Sequence, residues 1–308
     1  MARSLAIKKG EGIGDRGGRG ERRTFLMRDW SVEATLPKAG DIEALVASSP
    51  ADMPVYLSAL AKNHGGRMIA DAAAMRRAGL EPVPHVAVRN YESAAELEAF
   101  LTRIRAEADV RKALVIAGDR DRPAGPFDSA LSLIASGMLE GCGIEEVGVS
   151  GYPDGHPKID ADRLDEALAA KIEAAARAGL ALHVVTQFCF DPQAIGHWLQ
   201  AIRAGYPGLP VRIGLAGPAG ATTLLKFALR CGVKASARGL RRNLSAVGGL
   251  MGQSSPARIV DALAAMPLDV WDHDAALHFF SFGGIGRTAR WVSENAAREA
   301  GETHDSND

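Results

Sequence analysis

A glutamate at position 33 stands inside the otherwise apolar run SVEATLP (31–37). A lone carboxylate in such a setting either finds a partner or has its pKa raised, and both outcomes are chemically useful. Four more polar groups sit in comparable apolar, β-branched runs. His85 lies in VPHVAV (83–88), Asp119 closes ALVIAGD (113–119) after Gly118, Tyr152 closes EEVGVSGY (145–152), and Gln187 is near the end of ALHVVTQF (181–188). Carboxylates and imidazoles move protons, and a carboxamide offers a donor and an acceptor together without charge. Each residue also has an ordinary reading. A Glu at the start of a strand often faces solvent or pairs with an Arg, and an Asp after Gly is often the cap of the next helix. A His after Pro84 is commonly a satisfied core histidine, and Gln187 alone says little. Convergence of all five on one face of one fold is what makes them a candidate site.

The elements that must position them follow from the spacing. With PVYLSAL (54–60), PVRIGLAG (210–217) and ALHFFSF (276–282), there are eight strand-like runs. Between them lie helical periods, among them Arg67–Ala78, Ala94–Ala108, Asp160–Ala178, Pro192–Ala204 and Ala219–Cys231, with Gly79, Gly179, Gly205 and Gly232 as stops. A helix between successive strands forces parallel pairing, and eight such units close most simply into a (β/α)8 barrel, a TIM barrel. An open doubly wound sheet is the alternative. Lys234–Met266 carries extra helical material before strand eight. Residues 1–23 are rich in Gly, Arg and Lys and read as a flexible tail, 24–300 as the barrel domain, and 301–308 (GETHDSND) as a polar tail. In that barrel the active site lies at the C-terminal ends of the strands, where these residues stand.

Composition narrows the partner. The chain has 308 residues, 47% apolar and 24% charged, the balance of a protein able to bury a large core. A formal net charge of -1 provides no global field to gather nucleic acid or an anionic membrane, which leaves a small-molecule substrate. Cys142, Cys189 and Cys231 show no CxxC pairing, so they suggest neither a zinc site nor a disulfide framework, and read as buried thiols in a reducing compartment. No apolar run reaches the roughly 18 residues that span a bilayer, and no signal peptide is evident, so a cytoplasmic location is expected.

Two glycine patterns compete for attention. Gly12, Gly14 and Gly17 spell GxGxxG, but without a preceding strand the match reads as chance. Gly284, Gly286 and Ala289 spell GxGxxA after strand eight, yet the chain ends too soon for a dinucleotide-binding half. With Gly214–Gly220 that turn forms either an anion pocket or a close helix–strand packing turn.

The residues together resemble a family. SVEATLP is similar to the first strand of methylenetetrahydrofolate reductases, PHVAV to the third, VIAGD to the fourth, GYPDGHP to the loop after the fifth and VTQFCFD to the sixth, in the same order and spacing between about Trp30 and Arg287. GYPDGHP and VTQFCFD are the most specific pieces. The resemblance implies an enzyme of one-carbon metabolism that interconverts 5,10-methylenetetrahydrofolate and 5-methyltetrahydrofolate, with hydride passing from NAD(P)H through FAD. It implies that Glu33 is the acid that protonates a folate nitrogen, kept protonated near neutral pH by partial desolvation. It places Asp119 beside the flavin and the pterin, Gln187 on the pterin, and His85, Gly118, Tyr152 and His156 on the flavin. Departures bear on the FAD. Ala117 replaces an Arg of the family, Leu168, Lys171 and Ala175 occupy positions that hold the FAD phosphates and ribose, and a folate-stacking Phe is replaced around Thr222. Lys171 restores one such contact. The expected FAD affinity is therefore low, and two alternatives stand beside the flavin enzyme: a flavin-independent folate reductase of the same fold, and a redox-inactive folate-binding or complex subunit. Association into a homo-oligomer is also compatible.

Overall fold

A computed structural model of the chain describes residues 19–59, 65–233, 253–266 and 274–302. Eight strands are parallel and close into a barrel: β1 (Ser31–Ala34), β2 (Pro54–Leu57), β3 (Glu81–Ala87), β4 (Lys112–Ile116), β5 (Glu146–Gly151), β6 (Ala181–Thr186), β7 (Val211–Ala216) and the eighth barrel strand, β10 (Ala275–Phe280). Around the ring the order is β1, β10, β7, β6, β5, β4, β3, β2, so β1 and β2 stand opposite β5 and β6. The (β/α)8 barrel expected from the alternation of runs is the observed fold. No helix among the described residues is long and apolar enough to cross a membrane.

Strand alternation divides the core in two. Val32, Ala34, Val55 and Leu57 point outward into the large apolar layer beneath the helices, each at most 3% exposed. Their neighbours Glu33, Tyr56 and Ser58 point the other way, and the barrel interior holds only a small apolar cluster of Tyr56, Val83, Leu114 and Val185, with Ile116 against it. Aliphatic layers normally fill this space. Here much of it goes to Glu33, His85, His183 and His278 from β1, β3, β6 and β10. Gly148 on β5 makes room for one of them: a Cβ there would lie 2.7 Å from His183 Nε2.

The helices end largely as expected. Helix Ala161–Ala178 starts at Asp160, whose side chain accepts from the Arg163 N–H, and stops at Gly179 in the left-handed region, φ 70°. The tail boundary differs. Helix Arg19–Arg28 begins inside the stretch read as tail, because Arg22 and Arg23 have partners that composition does not reveal. Arg22 Nε donates to the Ala264 carbonyl at 2.8 Å, while Arg23 pairs with Asp261 at 2.8 Å and donates to the Asn295 carbonyl. Leu26, Met27 and Trp30 follow, all buried. Residues 1–18, with the GxGxxG pattern, lie outside the described residues. So does 234–252 of the insertion; the rest of it holds strand β9 (Gln253–Ser254), antiparallel to β8 (Ala219–Gly220), and helix Ala257–Ala264. The last helix, Ile285–Glu302, runs two residues past the expected boundary at 300.

Candidate active site

Glu33 is the centre of a converging set. Its Oε1 accepts a hydrogen bond from Ser58 Oγ at 2.7 Å, and Ser58 Oγ lies 2.8 Å from Thr35 Oγ1. Its Oε2 faces two buried imidazoles, His85 Nε2 and His278 Nε2, each at 3.8 Å. That distance is long for a hydrogen bond, and neither Nε2 has a partner among the described residues. His278 Nδ1 is 3.0 Å from Ser31 Oγ, against 3.5 Å from Ser31 Oγ to the Leu277 carbonyl. The shorter contact assigns the Ser31 proton to Nδ1, which puts the His278 proton on Nε2, toward the carboxylate.

These surroundings bear on the expectation that partial desolvation keeps Glu33 protonated. Burial, the largest single effect on Glu33, pushes its pKa up, but His85, His278 and Ser58 together outweigh it and hold the carboxyl below its usual range. The balance favours the ionised carboxyl, with Ser58 donating to it, and the pull of the two imidazoles acts only where a ring carries a proton. Burial pushes the pKa of His85 and His278 down, against the pull of Glu33, so both rings are neutral at neutral pH.

A second polar set lies deeper in the barrel. Tyr56 OH is 2.8 Å from His183 Nε2, and His183 Nδ1 is 2.7 Å from Glu146 Oε1, with the ring N–H tilted off the line to the oxygen. Lys112 Nζ sits 2.9 Å from the other Glu146 oxygen. The Tyr56 ring stands edge-on to His278, centroids 4.8 Å apart, which links the two sets. Burial pushes Tyr56 up to about 12, so it stays a donor. On Glu146 burial pushes up as well, but His183 and Lys112 overcome it and hold the carboxyl at about 2. His183 is itself lowered by burial, so at neutral pH the compensating charge comes from Lys112.

Acid sensitivity follows. The folded pKa values of His85, His183 and His278 lie below the ordinary 6.5, so the unfolded chain takes up protons first and stability falls as pH drops below about 6.5. Glu146 acts in the same direction: its contribution, on the order of 3 kcal/mol, is present above the usual carboxyl pKa and lost as pH falls from about 4.5 to about 2. Urea midpoints measured from pH 8 to pH 4 are expected to decline steadily below pH 6.5. A flat profile down to pH 5 would contradict neutral, buried imidazoles.

The remaining candidates line the mouth. Asp119 is exposed after β4, and Gly118 before it adopts φ 92° with its backbone against Ala87. Cys231, just past helix Ala221–Arg230, ties this corner to the centre: burial and then the Glu33 and Asp119 carboxylates raise its thiol pKa. Gln187 follows β6; its Oε1 accepts from the Phe188 N–H at 3.0 Å, while its amide N–H groups have no partner among the described residues. Tyr152 and His156 pack edge-on to each other, centroids 5.1 Å apart, on the loop after β5. The structure thus joins His85 directly to Glu33 and puts Asp119, Tyr152, His156 and Gln187 on the rim. Thr222 is exposed, and five residues on, Phe227 stacks on Phe282 at 4.2 Å and 14°, with Phe188 and Phe280 packed against Phe282.

The glycine turns resolve as packing. Gly217 N–H donates to the Phe280 carbonyl at 2.9 Å, and a Cβ on Gly283 would lie 2.0 Å from the Pro218 carbonyl oxygen. The two turns press on each other, and the Gly217 amide is already used.

Ser31, Tyr56, Ser58, Glu146, His183 and His278 were not singled out in the sequence. A signal existed: alternation places His183 four residues before Gln187, and His278 two before Phe280, on the inward face. Among the described residues no group of three or more His, Cys, Asp or Glu has the arrangement of a metal centre.

The FAD positions can be tested against this structure. Leu168 and Ala175 on helix Ala161–Ala178 are 7% and 0% exposed, built into the core. Lys171 lies on the same helix, largely buried; burial pushes its pKa down, and it has no ion-pair partner among the described residues. Ala117 offers no side chain to reach a phosphate. These residues do not fit a tightly held FAD.

A family model described as methylenetetrahydrofolate reductase matches residues 32–238, two thirds of the chain. Among solved structures, the chain is similar to a thiamine phosphate pyrophosphorylase from Pyrococcus furiosus, at 13% identity over 90% of this chain and 98% of that one, with a TM-score of 0.44. It is also similar to a lyase/mutase, described as putative, from Burkholderia cenocepacia J2315, at 15% identity over 94% and 89%, with a TM-score of 0.46. Likenesses at that level bear on nothing further.

Proposed function

Because the chain belongs to the methylenetetrahydrofolate reductase family, we propose that it reduces 5,10-methylenetetrahydrofolate to 5-methyltetrahydrofolate with hydride from NAD(P)H. The observation that carries this reading is the Glu33 carboxylate, linked through Ser58 to the rim and backed by two neutral imidazoles at the mouth of the barrel. A folate bound over the mouth removes the remaining water from a side chain that is only 19% exposed. Desolvation then raises the Glu33 pKa and draws in a proton. Glu33 passes that proton to a folate nitrogen; the carbon–nitrogen bond of the five-membered ring breaks, leaving an iminium carbon. Hydride from the nicotinamide adds there and completes the methyl group. One proton and one hydride are consumed, and the nicotinamide leaves oxidised.

The pterin is held by Gln187, whose amide N–H groups have no partner among the described residues, and by Asp119 on the neighbouring rim. Phe227 and Phe282 supply aromatic surface near the position from which the expected stacking Phe is missing. Gln187→Ala is expected to raise KM for the folate and to lower kcat about tenfold, leaving nicotinamide affinity nearly unchanged, because the amide orients one substrate only. Equal losses toward both substrates would assign Gln187 a structural role.

A flavin-dependent version of the same reaction is the second reading. Lys171 favours it, since a desolvated ammonium with no partner among the described residues is what a phosphate would satisfy. The deciding experiment is the absorption spectrum of the purified protein together with NADH and NADPH oxidation in the presence of methylenetetrahydrofolate. A colourless protein that oxidises the nicotinamide only when the folate is added supports direct transfer. A yellow protein with flavin bands supports the second reading, and no turnover with any donor leaves a folate-binding subunit. The same reaction run in reverse, as oxidation of methyltetrahydrofolate, is measured with the same preparation. The cytoplasm is the location this chemistry suits.

A further inference from the structure

Glu33 Oε1 accepts the only proton that the Ser58 hydroxyl has to give. At 2.8 Å from Ser58 Oγ, Thr35 Oγ1 must therefore be the donor in the second contact, since one of two hydroxyls so placed has to supply the hydrogen. The three groups point one way: Thr35 to Ser58 to Glu33. Thr35 is exposed, Ser58 half-buried and Glu33 nearly enclosed, so the line runs from solvent to the reacting carboxyl. A shallow recess lined by Leu36, Ser58 and Arg67 opens beside it. Leu36, the next residue, holds φ 48°, a conformation that residues other than glycine seldom adopt, and this turns the chain immediately after Thr35.

The placement in the barrel matters. Thr35 and Ser58 follow β1 and β2, across the ring from Tyr152 and Gln187, which follow β5 and β6. A substrate held from the far side would cover the mouth above Glu33 and leave the exposed Thr35 in contact with water. The other Glu33 oxygen faces the buried imidazoles of His85 and His278.

We propose that Thr35 and Ser58 form a hydroxyl relay that carries a proton from solvent to Glu33 Oε1 while the substrate covers the site. The proposal rests on the folate-reduction reading given above. In the step, the Ser58 O–H bond breaks as its proton joins Glu33, Ser58 Oγ takes the Thr35 proton, and Thr35 takes one from hydronium. One proton enters, no electrons move, and both hydroxyls then rotate back. Because Glu33 gives its proton to the folate in each turnover, this delivery is needed in every turnover.

The test uses Thr35→Val, Ser58→Ala and Ser58→Thr in the full chain, with kcat, KM and the solvent deuterium isotope effect on folate reduction as readouts. Ser58→Ala is expected to lower kcat about tenfold or more with KM little changed, and Ser58→Thr to restore it. Thr35→Val keeps the Ser58–Glu33 bond and is expected to lower kcat several-fold with a larger isotope effect; added imidazole buffer should speed both impaired variants and not the parent. Parental kcat and isotope effect in Thr35→Val and Ser58→Ala, or equal losses in Ser58→Ala and Ser58→Thr, overturn the relay while the reaction stands. A parent protein that reduces no folate removes the reaction, and the relay with it.

Discussion

Glu33→Gln is expected to lower folate reduction by about 10²–10⁴, the range typical of a lost general acid. The substitution preserves shape, and the new amide oxygen still accepts from Ser58 Oγ, as the carboxylate does at 2.7 Å. What it removes is the ability to take a proton and release it. KM for the folate and the affinity for the nicotinamide should change little, because the proposed pterin contacts, Gln187 and Asp119, stand on the opposite part of the rim. Folding should also survive, since the amide fills the same space and keeps the hydrogen bond from Ser58. Steady-state rates together with a thermal melt check this. Parental turnover in a folded Glu33→Gln protein would place the acid elsewhere, with His278 and His85 the next groups to replace. If the protein carries flavin, its reduction by NADH should persist in the variant, because that half of the reaction needs no proton on the folate.

The same residue shows how far the sequence can be read. A carboxylate in an apolar strand announces that it must be paired or have its pKa raised, and the barrel follows from helices placed between eight short runs. The partner of Glu33 does not follow. His278 is 245 residues away along the chain, and only ring closure, with Ser31 opposite His278 in register, brings the two strands together. His183 and Tyr56 were hidden for a related reason. Strands covered on both faces show apolar residues at nearly every position, so an inward His in ALHVVTQF stands out little from its neighbours. Helix Arg19–Arg28 escaped because its arginines read as a solvated charge run until Asp261 and Asn295, both more than 230 residues later, are folded against them. Rim residues were legible by contrast, since strand ends are marked locally by the glycine, proline and acidic residues that follow them.

FAD is expected to bind this chain with a dissociation constant in the micromolar range or weaker. By the resemblance to the family, Ala117, Leu168 and Ala175 stand where side chains would reach the phosphates and ribose, and each missing charge-assisted contact costs about 1.5–3 kcal/mol. At about 1.4 kcal/mol per factor of ten, three such losses lower affinity by at least about a thousandfold. Leu168 and Ala175 are 7% and 0% exposed, and Ala175 lies seven residues on from Leu168, two helical turns along the same face, so exposing a different residue there means rotating the helix out of the core. Lys171 alone can return one contact, at the cost of keeping an ammonium charged where burial pushes its pKa down. Lys171→Met separates the cases: it should abolish whatever weak binding remains, while leaving folate reduction from the nicotinamide intact if transfer is direct. Equilibrium titration with FAD, followed by flavin fluorescence, measures both proteins. A low nanomolar constant for the parent would overturn the weak-binding claim and make the flavin-dependent reading the first one. No detectable binding, combined with NADH-dependent reduction of methylenetetrahydrofolate, would establish that hydride reaches the folate without a flavin.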